Sequence, residues 1–141
     1  NGNTPFTFPY QPGELKAVSL NEKGEAIAEA ILRSGKEGNH LTLHPETTAP
    51  LPCNHLFYVR MNLGDEDGVI RPYLKSEIEI KDVKGGKLLR VGHGNSYNAE
   101  GYLGNKTLTY QGEALAIFEV EDPATFSFQA SSDFGEASYH F

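Results

Sequence analysis

The sequence predicts an all-β protein built from many short strands, and two observations lead to this prediction. Turn-forming residues, chiefly Gly, Pro, Asn and Asp, recur at short intervals along the 141 residues, as is typical of proteins with many strands. Between the turns lie segments in which apolar and polar residues alternate. Alternation lets one face of a strand pack in a core while the other stays in water.

The alternation is clearest in three segments, residues 57–63, 77–81 and 125–130. Other segments are short or apolar on both faces, and we predict that they are strands as well. They are residues 6–10, 14–20, 40–44, 87–91, 106–110, 113–120 and 138–141.

Residues 25–33 (EAIAEAILR) are ambiguous, because Ala, Glu, Ile and Leu favour a helix. Gly24 and Gly35 leave room for only about two and a half helical turns. Because the neighbouring segments are predicted strands, we predict a strand here too.

The chain length suits a single domain with an added sub-lobe. The prolines at positions 45, 50 and 52 indicate a connector between the two parts. We therefore predict an N-terminal strand group at residues 1–45 and a sandwich at residues 46–141. Because the chain begins with Asn1 rather than Met, we expect it to be a piece of a longer protein.

Composition excludes several classes of function. Lys and Arg number 12 against 19 Asp and Glu, which gives a net charge of -7, so no overall positive field attracts nucleic acid or anionic lipid. No apolar run approaches the roughly 20 residues that cross a bilayer. We expect neither a nucleic-acid nor a membrane partner. Cys53 is the only cysteine, which rules out an internal disulfide and a zinc site built on several thiolates.

Four short motifs follow one another along the chain. They are residues 12–18 (PGELKAV) with Gly24 and Ser34-Gly35, residues 56–61 (LFYVRM) with Asp67-Gly68, residues 89–95 (LRVGHGN), and residues 110–117 (YQGEALAI). In this order they resemble segments of bacterial β-galactosidases of glycoside hydrolase family 2. The first is similar to that family's PGxLxA…G…TxG pattern, with Ser34 where threonine is usual. The second is similar to its strand and hairpin, the third to its GxGN loop and the fourth to its xGxALAIV strand.

The resemblance implies a C-terminal, immunoglobulin-like, mostly antiparallel β-sandwich within a multidomain enzyme that hydrolyses terminal β-galactosides. Residues 1–45 would then belong to the same sandwich or be the remnant of a preceding immunoglobulin-like domain. The catalytic glutamates of that family lie in a central barrel that nothing here matches. We therefore expect no catalytic residue, no enzymatic activity of this chain alone and no cofactor. Its expected partners are the other domains of the parent, with self-association through open strand edges as a further expectation.

The stretch 92–104 (GHGNSYNAEGYLG) is the candidate carbohydrate-binding site. Sugar binding needs an aromatic plane against the apolar face of the ring and polar groups for its hydroxyls. The alternative function is thus a carbohydrate-binding module that targets the parent enzyme to galactose-containing glycans. The structural alternative is a loop that closes the sandwich or packs on a neighbouring domain. The candidate residues are Tyr97, Tyr102, His93, Asn95, Asn98 and Glu100.

Asp65 and Asp67, in the sequence Asp65-Glu66-Asp67-Gly68, are the candidate metal ligands, since calcium prefers several carboxylate oxygens. The sequence lacks a full calcium-loop pattern, and the ordinary interpretation is the solvated tip of a hairpin. The five histidines form no metal-binding motif. We therefore expect no metal site.

Overall fold

A computed structural model describes residues 5–46, 55–99 and 101–140. They form ten β-strands, and no helix is found among them. By its internal contacts the chain divides into two compact units. Unit 1 is Asn1–Ser34, and unit 2 is Gly35–Phe141.

Unit 1 contains a two-stranded antiparallel ribbon of β1 (Glu14–Leu20) and β2 (Ala26–Arg33). The side chain of Asn21 closes the connecting turn, because its Oδ1 accepts the backbone N–H groups of Lys23 and Glu25, each at 2.9 Å. The strand predicted at residues 25–33 is confirmed. Pairing with β1 satisfies its backbone groups along the ladder and outweighs its helical composition.

The strand predicted at residues 6–10 is wrong, since this segment has no regular secondary structure. Pro5 and Pro9 explain the difference. Each lacks the backbone N–H that a ladder requires, so the segment is poorly suited to a central strand despite its aromatic residues.

Unit 2 contains eight strands in two antiparallel sheets. One sheet has the order β3-β4-β8-β6, and the other has the order β10-β9-β5-β7. The strands are β3 (His40–Pro45), β4 (His55–Gly64), β5 (Glu77–Lys84), β6 (Gly86–Gly92), β7 (Lys106–Leu108), β8 (Glu113–Val120), β9 (Ser127–Ser132) and β10 (Gly135–His140).

This order is that of an immunoglobulin constant-type sandwich. If β7 is set aside and the remaining strands are lettered from A at β3, one sheet becomes A-B-E-D and the other G-F-C. The short strand β7 is an addition that pairs with β5. The predicted all-β, immunoglobulin-like antiparallel fold is confirmed.

The core lies between the two sheets and follows the predicted alternation. On β8 every second residue is buried, and on β4 the side chains of Phe57, Val59, Met61 and Leu63 are fully buried. Aromatic rings join the sheets. Phe118 of β8 stacks on Phe128 of β9 with ring centroids 4.4 Å apart.

The predicted division at residues 45/46 would separate β3 from the sheet in which it pairs. In the structure β3 pairs with β4 along its whole length, with Pro45 opposite Val59. Along the chain, the boundary between the two units falls between Ser34 and Gly35. Pro45 ends an edge strand, where a missing N–H is tolerated. Pro50, Pro52 and Cys53 lie outside the described part of the chain.

Candidate functional site

The predicted carbohydrate-binding residues lie in the loop between β6 and β7, where several of them form hydrogen bonds with one another or with the loop backbone. Tyr97 is 92% exposed at the tip of the loop. Asn95 accepts the N–H of Tyr97 at 3.0 Å through its side-chain oxygen, and its own N–H donates to His93 Nδ1 at 3.2 Å. Asn98 Nδ2 donates to the carbonyl of Gly101 at 3.0 Å. These amides shape the loop itself. Glu100 lies outside the described residues.

A groove of about 710 Å³ lies beside this loop, on the outer face of the sheet β3-β4-β8-β6. His93 and Tyr102 are the predicted residues that line it. Outward-facing positions of three strands supply much of the rest. The main additional lining residues are Arg60 of β4, Arg90 of β6, Glu113, Leu115 and Ile117 of β8, and Tyr110.

These strand residues were not predicted as members of a site, because they are far apart in the chain. One signal was present in β8, whose outward positions carry Leu115 and Ile117 where a solvated face would carry polar residues. Arg60 and Leu115 are direct partners across β4 and β8, and Arg90 pairs with Ile117 across β6 and β8. Only the sheet register brings them together.

Local backbone geometry holds the aromatic side chains of the groove. A Cβ at position 92 would collide with the ring of Tyr102, so Gly92 allows that ring to lie directly against the strand. The rings of His93 and Tyr110 lie with centroids 6.2 Å apart. Tyr110 precedes the tight turn of Gln111 and Gly112, whose positive φ angles of 53° and 76° fit a type I′ hairpin.

The charged residues of the groove are only partly paired. Arg60 Nε lies 2.7 Å from Glu46 Oε1, so these two charges neutralise each other. The Arg90 guanidinium donates to the carbonyl of Leu89 and has no carboxylate within ion-pair distance among residues 5–46, 55–99 and 101–140. The carboxylate of Glu113 has no side-chain hydrogen bond or ion pair within the same ranges. One cation and one anion are therefore left facing a largely apolar floor.

The candidate metal ligands have structural contacts. The fully buried Asp65 carboxylate accepts the N–H groups of Lys36 at 2.6 Å, Asp67 at 3.0 Å and Val69 at 2.9 Å. The Lys36 N–H is the main cause that holds the pKa of Asp65 below its usual range. Asp67 pairs with Lys36 Nζ at 3.0 Å. Within the part of the chain that the structure describes, no three His, Cys, Asp or Glu side chains are placed to hold a metal ion.

The predicted hairpin at Asp67-Gly68 is a turn closed by a single bridge. Asp65 donates its N–H to Val69 at 3.2 Å, and Gly64 bridges to Ile70. Beyond Ile70 the chain crosses to the other sheet as β5.

The described residues also include no helix that is long and apolar enough to span a membrane.

Solved structures of glycosidases share this fold. A glycosyl hydrolase family 2 member from Bacteroides cellulosilyticus matches 94% of this chain with a TM-score of 0.69 and 23% identity. A β-glycosidase from Bacteroides vulgatus matches 98% with a TM-score of 0.76 and 18% identity. A β-glucuronidase of glycoside hydrolase family 2 matches 94% with a TM-score of 0.67 and 13% identity. The chain has the fold of a region of these enzymes.

The matched region is a small part of each enzyme. It covers 18%, 19% and 14% of the three chains, respectively. No protein-family model and no curated protein matches the chain significantly by sequence. At these levels of identity the structural match establishes the fold alone, because one fold can host many activities.

Proposed function

We propose that this chain is a non-catalytic accessory region, at the C-terminal side, of a family 2 glycoside hydrolase that cleaves terminal β-galactosides. The observation that carries the proposal is the pairing of near-complete coverage of this chain with coverage of less than a fifth of each glycosidase. The choice of β-galactosides rests on the resemblance of the four sequence motifs, in their order, to segments of β-galactosidases. The parent would supply the catalytic carboxylates, and unit 2 would pack against its other domains.

The ribbon of unit 1 favours the presence of a neighbouring domain in the parent protein, because every residue of β1 and β2 is exposed in this chain. Leu15 pairs with Leu32 and Ala17 with Ala30, which makes one face apolar. The ion pairs of Lys16 with Glu29, at 2.6 Å, and of Glu14 with Arg33, at 2.9 Å, involve the positions between them. An isolated two-stranded ribbon is marginally stable in water.

The occupant that we propose for the apolar face is the core of a preceding immunoglobulin-like domain, with β1 and β2 as its last hairpin. A groove of about 460 Å³ within unit 1 extends this face with Phe8 and Tyr10, both largely exposed. Exposed aromatic and aliphatic side chains on one short segment are typical of an interface. The matched glycosidase chains are long enough to contain such a domain, because this chain covers only 18% and 19% of their length.

Amide hydrogen exchange on the 141-residue chain tests this proposal. The amides of β1 and β2 are expected to exchange near the rate of an unstructured peptide, whereas those of β4 and β8 are protected by the core of unit 2. The matched control is the same measurement on the parent enzyme, where the ribbon is expected to be protected. A ribbon as protected as β8 in a monomeric 141-residue chain would refute the proposal. Protection that appears only with dimerisation would assign the face to a second copy instead.

A further inference from the structure

We propose that the groove over β4, β8 and β6 binds a neutral saccharide. This places carbohydrate recognition on the sheet rather than at the exposed tip of the loop. The groove lies within unit 2, so the proposal does not depend on which glycoside the parent cleaves. Its volume of about 710 Å³ lies within the range of roughly 300–1,000 Å³ that is usual for ligand sites.

The aromatic residues provide the surface that a sugar ring needs. Tyr102 is 49% exposed and Tyr110 is 42% exposed, so both rings present accessible area to the groove. The contact with Gly92 fixes the position of the Tyr102 ring against the strand. A fixed aromatic plane can receive the apolar C–H face of a pyranose with little loss of side-chain entropy. Leu115 and Ile117 extend the apolar floor.

The charges in the groove match hydroxyl groups. A hydroxyl both donates and accepts hydrogen bonds. It can therefore donate to the Glu113 carboxylate or accept from the Arg90 guanidinium, neither of which has an ion-pair partner among the described residues. The two charges cancel, as do those of Arg60 and Glu46. The groove thus has no surplus charge to favour an ionic ligand, which points to a neutral saccharide.

A protein domain fits this surface less well. Covering Arg90 and Glu113 with another domain would remove both from water, and unpaired buried charges are costly. A saccharide leaves part of each group solvated and brings a hydrogen-bonding group to each.

The test is a titration of the isotope-labelled 141-residue chain with lactose, followed by NMR. Cellobiose serves as a second neutral disaccharide and glucuronate as an anionic sugar. Lactose or cellobiose is expected to shift the amides of Gly92, Leu115 and Ile117, with a dissociation constant of about 1 mM. Tyr102→Ala is expected to weaken binding at least about tenfold. Tyr97→Ala is the matched control, because Tyr97 does not line the groove, and its affinity should equal that of the wild type.

Two further variants guard against a change of fold. Arg90→Gln keeps a polar side chain at an exposed position but removes the charge, so it should weaken binding while the spectrum of the core stays unchanged. Gly92→Ala should displace the Tyr102 ring and likewise weaken binding of the disaccharide. No shift with either neutral disaccharide, or binding of glucuronate alone, would overturn the proposal. Shifts confined to the loop tip and lost in Tyr97→Ala would overturn the assigned location.

Discussion

Replacing Phe118 with Ala is expected to lower the free energy of unfolding of unit 2 by about 3–5 kcal/mol. The side chain is fully buried, stacks on Phe128 and meets Phe126 edge-on with centroids 5.5 Å apart. Phe118 lies in one sheet, whereas Phe128 lies on β9 of the other sheet and Phe126 directly precedes that strand. The substitution therefore leaves a cavity at the contact that joins the sheets. A loss of this size is comparable to the whole stability of a small domain.

Urea denaturation followed by tyrosine fluorescence or circular dichroism measures this loss. Ile117→Ala is the control, since Ile117 is the neighbouring residue of β8 on the partly exposed outer face. It is expected to cost about 1 kcal/mol, because only part of its apolar surface leaves water on folding. Equal losses in the two variants would mean that the core does not lie on the face assigned to it.

Replacing Asp65 with Asn is expected to lower the melting temperature of unit 2 by several degrees at neutral pH. The carboxylate accepts three backbone N–H groups, and one of them, that of Lys36, belongs to the segment that enters β3. An amide has a single acceptor oxygen, so Asn leaves at least one donor poorly satisfied. Asp67→Asn is the control, because Asp67 is half exposed and its ion pair with Lys36 is a surface contact of small value.

The effect should depend on pH in one direction. Because the pKa of Asp65 is lower in the folded protein than in the unfolded chain, its charge stabilises the fold fully above the unfolded pKa of about 4. That contribution is lost as the pH falls through the folded pKa. The difference in melting temperature between wild type and Asp65→Asn should therefore shrink in acid. A difference that stays constant from neutral pH down to about pH 2 would contradict the role of the charge.

Strands with one buried face were predictable from the sequence. The inward positions of β4 and β9, such as Phe57 and Phe128, follow the period of two that indicates a half-buried strand. The ribbon strand β2 was harder, because its composition favours a helix and only pairing with β1 decides the outcome. Residues 6–10 resemble a strand in their aromatic content, but Pro5 just before them and Pro9 within them lack the N–H groups that a ladder requires.

The candidate site was predictable only in part. His93 and Tyr102 were identified because residues 92–104 combine tyrosines with polar groups suited to sugar hydroxyls. Arg90 and Glu113 gave no local signal, since they line one groove only through the register of β6 and β8, with the bulge between Leu88 and Arg90. The burial of Asp65 was also not predictable from its local sequence. An acidic turn suggests solvent exposure, whereas in the fold the Asp65 carboxylate is buried and accepts the N–H of Lys36, 29 positions earlier in the chain.

Immunopurification of the native protein from its source cells is the most direct test of whether this chain is an accessory region of a glycosidase. Antibodies raised against unit 2 are expected to retain a polypeptide several times longer than 141 residues. The retained protein should hydrolyse nitrophenyl β-galactoside faster than nitrophenyl β-glucuronide, while the 141-residue chain alone hydrolyses neither. A preference for the glucuronide would contradict the β-galactoside assignment alone. A retained protein of this chain's own length, or a longer one without glycosidase activity, would contradict the proposed function.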